Sequence, residues 1–291
     1  MPPKSVDPLH FLSAARLTVV AGKGGVGKTT VTAVLARAAV RRGLRTLVLE
    51  LDGKPALHQL VGDVPAQTIT AGDALAEYLD THGLRRVSKR LISSGVIDVV
   101  ATAAPGIDDI VVLGKVKQLE RSDDWDVILV DGPAAGHAIS MLRAATAVLA
   151  SVRGGPLRTQ ATDVAAMLAD PERTQVILVT MPETTPINEL IETAYALEDQ
   201  TGVHLGPVLV NAVDVGPDLD ESAAATGTPV HAAAQFRNAR RRLQREECAR
   251  LAEDLALEQL HLPAFAGAVL DAAAIDELAV AFDVAVPAGS V

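Results

Sequence analysis

The sequence predicts an α/β fold in which a single, doubly wound and mostly parallel sheet is flanked by helices. Apolar runs of strand length alternate with helical patterns along the chain, and no Gly/Ser-rich or Pro-rich linker interrupts them. Aromatic residues make up only 2% of the sequence, and small aliphatic side chains suit helices packed on a parallel sheet. Because 49% of the 291 residues are hydrophobic, the chain can bury a substantial core, and global disorder is excluded.

The first strand is predicted at residues 16–21, a helix at 28–42 and a second strand at 46–51. This strand–helix–strand order predicts a right-handed crossover between parallel strands. Later strands are predicted at 126–130, 175–180, 207–210 and 260–263, and residues 96–101 are compatible with another short one. Further helices are predicted within 54–98 and at 105–120, 138–172, 187–200, 229–257 and 271–282.

The loop between the first strand and the first helix carries a phosphate-binding motif. It reads Gly22-Lys23-Gly24-Gly25-Val26-Gly27-Lys28-Thr29-Thr30. Its spacing and its strand–loop–helix context fit the P-loop, in which glycines let backbone N–H groups ring a phosphate. Lys28 is placed to reach the β- and γ-phosphates, and the Thr29 hydroxyl is placed to ligate Mg²⁺. The predicted nucleotide-binding residues of this loop are Gly24, Gly25, Val26, Gly27, Lys28, Thr29 and Thr30.

Two aspartates at the ends of predicted strands are candidates for the remaining chemistry. Phosphoryl transfer needs a metal and a group that positions the attacking water, besides the phosphate cradle. Asp131 closes an apolar strand and is interpreted as the carboxylate that orients Mg²⁺; the alternative is a surface aspartate. Asp52 closes the strand after the first helix and is interpreted as the group that positions water; the alternative is a helix N-cap.

Three other residues have functional and structural interpretations that the sequence leaves open. The Gly136 N–H could sense the γ-phosphate, and His137 beside it could assist catalysis or be a hydrogen-bonded loop residue. Asn211 follows a predicted strand and could bind a purine edge or be an ordinary turn residue. None of these signals is specific by itself.

Taken together, these motifs resemble the ArsA branch of the MinD, ParA and ArsA superfamily of ATPases. That branch includes the arsenite-pump ATPase and the guided-entry ATPase for tail-anchored membrane proteins. The resemblance runs in order from about residue 16 to 265, and the sequence looks most like actinobacterial anion-transporting ATPase paralogues, which occur as neighbouring pairs. The motifs that carry it are the deviant Walker A loop 22–30, Pro105–Asp108, 131–137, Pro182-Glu183, Asn211 and Leu262-Pro263.

The resemblance implies an ATP- and Mg²⁺-dependent ATPase that works as a dimer. In the family, the lysine that matches Lys23 crosses the dimer interface to the partner's nucleotide. Asp52 matches the aspartate that activates water, and residues 131–137 match the second switch segment. Asn211 and the backbone near Pro263 match the adenine-binding region. The implied catalytic residues are therefore Lys23, Lys28 and Asp52, with Thr29 and Asp131 at the metal.

The sequence also departs from the family. Gly53-Lys54-Pro55 stands where Pro-Ala-His is usual, and Gly132 and Ala135 replace two threonines, which would slow hydrolysis. A single cysteine, Cys248, cannot supply a Cys-x-x-Cys zinc clasp or a thiol cluster for arsenite, and is interpreted as an idle thiol. The few methionines after the second switch segment, Met141 and Met167, argue against a full groove for tail anchors.

Charge and composition limit the possible partners. The net charge of −10 argues against sequence-independent binding to nucleic acid and against an anionic membrane surface. We expect no membrane insertion, and the single cysteine and the absence of a signal-like apolar run favour the cytoplasm. The arginine-rich segment 237–245 is interpreted as a solvated helix face, with Phe236, Ala239 and Leu243 turned inward, rather than as a nucleic-acid contact.

The favoured function is a dimeric ATP switch formed by two copies of the chain or by the chain and a paralogous subunit. Its protein client is unknown. The alternative is a nucleotide-gated binding or scaffold subunit with little ATPase activity of its own. A MinD- or ParA-like positioning role is disfavoured, because the last helix carries no lysine or arginine. We expect one P-loop domain over residues 1–291, with a reduced helical subdomain inserted around 54–95 and 138–172.

Overall fold

The computed structural model describes residues 10–51, 56–94, 106–223 and 225–284, which form an eight-stranded sheet. The strands lie in the order β3-β2-β4-β1-β5-β7-β8, with β6 beside β5, and all the described strand pairs are parallel. The predicted fold class is therefore confirmed. The strands are β1 Leu17–Gly22, β2 Thr46–Glu50, β3 Ala66–Thr68, β4 Val127–Ala134, β5 Thr174–Thr180, β6 His204–Leu205, β7 Val208–Val213 and β8 Gln259–Pro263.

Helices cover both faces of this sheet. They are α1 Lys28–Arg41, α2 Ala56–Val61, α3 Ala71–Thr81, α4 Arg85–Ser94, α5 Ile107–Glu120, α6 Ala135–Ser151, α7 Pro156–Ala169, α8 Thr184–Thr201, α9 Pro229–Asp254 and α10 Ala272–Val284. Within the described ranges, no helix has both the length and the apolar character needed to cross a bilayer.

The alternation of side chains along β1 divides the core into two layers. Leu17 and Val19 pack with apolar residues of α5, α6, α7 and α8 on one face. Val20 packs on the opposite face with α1 and α10. Since successive side chains of a strand point to opposite faces, a strand that is buried on both sides reads as a continuous apolar run. This is why the central strands were visible in the sequence.

The structure differs from the predicted elements mainly at short strands and at the end of β4. Strands β3 and β6, with three and two residues, were not predicted. β4 continues past Asp131 to Ala134, where a loop was expected, and α6 begins at the next residue. A side chain on Gly132 would place its Cβ 2.4 Å from the Val20 carbonyl oxygen, so glycine permits this continued pairing with β1. The possible strand at 96–101 lies outside the described residues.

In the arginine-rich part of α9, the predicted inward orientation of the apolar residues is wrong, although Arg240, Arg242 and Arg245 are exposed as predicted. Phe236 is 71% exposed, and Ala239 and Leu243 are exposed as well. Instead, Arg237 and Arg241 turn toward the body of the protein, where both bind Asp214. The partners of these arginines lie in the acidic loop that precedes α9. The hydrophobicity of the α9 residues could not predict these ion pairs, because they depend on charges in another segment.

Candidate active site

The P-loop lies at the carboxyl edge of the sheet, between β1 and α1. Gly25 and Gly27 have φ values of +89° and +90°, a conformation that side chains disfavour. Among the described residues, no atom beyond the adjacent ones lies within 4 Å of the Cβ positions of Gly24 and Gly25, so there is open space beside the backbone there. α1 begins at Lys28, and its N-terminal N–H groups point to the same edge. The loop thus has the geometry of an anion cradle.

Sheet order brings the two candidate metal ligands together. β4 is the neighbour of β1, and Asp131 is in register with Val20, two residues before the loop. The Thr29 hydroxyl donates a hydrogen bond of 2.8 Å to Oδ2 of Asp131, which is only 6% exposed. A hydroxyl and a nearly buried carboxylate at the end of a phosphate cradle are oxygen ligands of the kind that Mg²⁺ prefers. The residues present therefore fit a magnesium–nucleotide complex.

Both P-loop lysines are held by contacts within the chain. Lys28 donates from Nζ to the backbone carbonyl of Lys23 at 3.3 Å. The Lys23 ammonium forms an ion pair with Glu189, which lies in α8. Strand β5, which precedes α8, adjoins β1, and its residue Val179 is in register with Gly22. α8 therefore starts beside the P-loop.

Asn211 lies against the P-loop. Its Nδ2 donates to the Val26 carbonyl at 2.9 Å, and its Oδ1 accepts from the backbone N–H of Ala212 at 2.9 Å. Ala212 has a φ of +59°, which is uncommon for a residue with a side chain and coincides with irregular pairing between β7 and β8. Pro263 ends β8 in register with Val213, so Asn211 and Pro263 lie near the same edge. This arrangement links the predicted adenine region to the phosphate loop.

Two acidic residues near the site were not singled out from the sequence. Glu50, the last residue of β2, is in register with Asp131 and is 1% exposed. The sequence feature that could have pointed to Glu50 is its position at the end of an apolar run. Asp109 lies in the first turn of α5, where burial and the neighbouring Asp108 raise the pKa of its carboxyl. Asp52, the predicted water-positioning residue, lies outside the described residues.

His137 lies in the first turn of α6, with Nε2 3.7 Å from Oδ1 of Asp109. The imidazole is 56% exposed, and its described ion-pair partner is this carboxylate. Cys248 is half-buried, and burial raises the pKa of its thiol to about 11. A thiol with this pKa is almost entirely protonated near neutral pH, as expected for an idle cysteine.

Comparison with known proteins gives a consistent set of relatives. Residues 15–153 match the family model for the anion-transporting ATPase. ATPase BagA of Mycobacterium tuberculosis is 32% identical over 225 residues, which cover 69% of this chain and 66% of BagA. An arsenical pump-driving ATPase of Escherichia coli is 30% identical over 67% of this chain and 34% of its own length. A putative arsenical pump-driving ATPase of Halobacterium salinarum is 28% identical, over 70% and 36% respectively. The chain thus spans 66% of the length of BagA and about a third of the pump ATPases.

Proposed function

Because the chain belongs to the anion-transporting ATPase family, we propose that it binds ATP with Mg²⁺ and hydrolyses the nucleotide as a dimeric molecular switch. The dimer consists of two copies of the chain or of the chain and a paralogous subunit. The observation that carries the proposal is the hydrogen bond between Thr29 and Asp131 beneath an open glycine loop. It joins the two oxygen ligands that a P-loop ATPase needs at its metal.

Each residue of this site has a proposed role. The backbone N–H groups from Gly24 to Thr30 bind the phosphates, and Lys28 leaves the Lys23 carbonyl to contact the β- and γ-phosphates. Thr29 and Asp131 would hold Mg²⁺, which when bound would supply positive charge to the phosphate oxygens. Asp52 positions the attacking water.

The remaining proposed contacts involve the base and the second chain. Asn211 and the backbone at Pro263 bind adenine. When adenine binds, the Asn211 side chain either keeps its hydrogen bond to the Val26 carbonyl or replaces it by one to the base. Lys23 reaches the nucleotide of the partner chain. We also propose a cytoplasmic protein in which one P-loop domain, residues 1–291, carries a reduced helical subdomain around 54–95 and 138–172. Its client is a protein whose identity the site does not specify.

The proposal is tested by measuring phosphate release and particle mass for the purified chain with ATP and Mg²⁺. Asp131→Asn removes the metal-orienting charge, so we expect turnover to fall about 100-fold or more. Asp126→Asn is the matched control, because this residue lies just before the other end of β4 and pairs with Arg45. Loss of turnover in both variants, or in neither, contradicts the proposed role of Asp131.

A second candidate, a nucleotide-gated scaffold subunit, is supported by the second switch segment. Gly132 packs so close to the Val20 carbonyl that a side chain with a hydroxyl does not fit there, and Ala135 supplies no hydroxyl either. Fewer hydroxyl groups near the metal favour slow hydrolysis. This candidate predicts tight binding of ATP with negligible phosphate release by the purified chain, whereas sustained turnover excludes it.

A further inference from the structure

The ion pair between Lys23 and Glu189 joins the P-loop to a helix that follows another strand of the sheet. The two residues are 166 positions apart in the sequence, and their side chains are 41% and 38% exposed. Glu189 lies in the second turn of α8. The phosphate cradle of a P-loop uses Lys28, so Lys23 is a second cation in the loop, and it turns back to its own chain.

This pair is suited to opening. A fully buried ion pair would be difficult to separate, because each charge would lose its partner in a medium of low dielectric constant. Exposed or half-exposed pairs contribute little to stability and are screened by salt. The Lys23–Glu189 contact therefore biases the position of the lysine without fixing it.

The ion pair with Glu189 competes with the contact proposed for Lys23 across the dimer. The lysine side chain is a single flexible stem with one ammonium group. While that group is paired with Glu189 of its own chain, it is not released to contact a nucleotide bound by another chain. The inference rests on the proposed role of Lys23 in the dimer.

We propose that Glu189 is a latch for Lys23. It holds the lysine within its own chain in the monomer, and it releases the lysine when a second, nucleotide-loaded chain approaches. Glu189 is thus a positioning residue that raises the ATP concentration needed for assembly and keeps monomers from pairing before both carry nucleotide.

The first test measures the contact itself, without nucleotide. Lys23 is labelled with an amine-reactive reagent and followed by peptide mass spectrometry, with the distant Lys115 as internal reference. We expect Glu189→Gln to increase the labelling rate of Lys23 about 2- to 5-fold, the range that corresponds to an exposed ion pair. Glu192→Gln is the matched control, because it makes the same change at an exposed position of the same helix and should leave the rate unchanged.

The second test measures the ATP concentration at half-maximal assembly, by light scattering, for whichever dimer forms. Glu189→Gln should lower this concentration about 2- to 5-fold, Glu189→Asp should restore most of the wild-type value, and Glu192→Gln should have no effect. Rescue by Glu189→Asp beside an unchanged Glu192→Gln would show that the carboxylate acts through its charge, which a merely structural role of Glu189 would not produce. High salt should reduce the difference between Glu189→Gln and wild type.

The outcomes separate the latch from the ATPase proposal. An unchanged labelling rate in Glu189→Gln overturns the latch and leaves the ATPase proposal standing. A higher ATP requirement in Glu189→Gln also overturns it, because Glu189 would then aim Lys23 at the partner. If no ATP-dependent dimer forms in any variant, including wild type, the dimeric switch fails, and the release step fails with it.

Discussion

The hydroxyl of Thr29 lies 2.8 Å from a carboxylate oxygen of Asp131, although 102 residues separate the two in the sequence. Thr29 is the second residue of α1, the helix that follows the P-loop, and Asp131 lies in the strand next to β1. The contact exists only because β4 is inserted in the sheet between β1 and β2. The hydrogen bond couples the Thr29 hydroxyl to the Asp131 carboxylate. We therefore expect the loss of either group to change the Mg²⁺ dependence of ATP hydrolysis.

Replacing Thr29 by valine should impair magnesium-dependent turnover. Valine keeps the shape of the side chain but removes the oxygen that would bind the metal and donate to Asp131. We expect the Mg²⁺ concentration at half-maximal phosphate release to rise at least about tenfold, which corresponds to about 1.4 kcal/mol. Thr29→Ser, which retains the hydroxyl, should stay near wild type. Equal magnesium dependence in the valine and serine variants would contradict a ligand role for the hydroxyl.

Gly27→Ala should disrupt the P-loop. Gly27 has a φ of +90°, and a Cβ there would lie 2.2 Å from Nδ2 of Asn211, so the amide must leave its bond to Val26. We expect nucleotide affinity to fall about tenfold or more, measured with a fluorescent ATP analogue. Gly43→Ala is the control, since Gly43 also has a positive φ, +79°, but in the described part of the chain no atom beyond its neighbouring residues lies within 4 Å of the Cβ position. That control should lose about 1 kcal/mol of stability and keep its nucleotide affinity.

Asp276→Asn should weaken the attachment of α10 to α1. Arg37 donates to both carboxylate oxygens of Asp276, at 2.5 and 2.6 Å. Because the Asp276 side chain is 42% exposed, we expect a loss of only about 1 kcal/mol in the free energy of unfolding, measured with urea at pH 7. Glu277→Gln, at the exposed neighbouring position, should have no measurable effect. Equal losses in the two variants would rule out a specific contribution from the pair.

The same pair predicts a pH dependence. The hydrogen bonds from Arg37 hold the pKa of Asp276 below its ordinary value. The stabilising contribution is therefore fully present above the unfolded-state pKa of about 3.9, and it is lost as the pH falls through the lower folded-state pKa. The difference between wild type and Asp276→Asn should accordingly narrow below about pH 4. A constant difference down to lower pH would show that the ionised carboxylate is not its source.

Arg241→Ala should destabilise the protein more than Phe236→Ala does. The Arg241 side chain is 11% exposed and pairs with Asp218, and its Nε donates to the Asp214 carbonyl at 3.3 Å. We expect a loss of about 1–2 kcal/mol for Arg241→Ala and no more than about 0.5 kcal/mol for the exposed Phe236. Arg242→Ala, whose side chain is 69% exposed, is the matched arginine control. If Phe236→Ala lowered the unfolding temperature more than Arg241→Ala, Phe236 rather than Arg241 would face the protein, as hydrophobicity predicts.

Local sequence patterns were sufficient to predict the elements whose burial produces a regular apolar pattern. The central strands are buried on both faces, so they appear as continuous apolar runs, and the glycine spacing around Lys28 predicts a phosphate cradle. Short strands such as β3 and β6 have no such pattern, because two or three residues cannot establish a periodicity. The inward orientation of Arg237 and Arg241 was not predicted, because their partners, Asp214 and Asp218, lie in the loop before α9 and contribute through charge.

The sequence by itself determined the α/β class, and it predicted the P-loop and the metal-orienting role of Asp131, since each of these inferences depends on residues that are close along the chain. The tertiary structure decided which distant groups meet. The placement of β4 beside β1 brings Asp131 to Thr29, and the irregular end of β7 puts Asn211 on the loop backbone. The position of β5 beside β1 brings Glu189 to Lys23. Strand order is set by packing across the whole sheet, which no local pattern encodes.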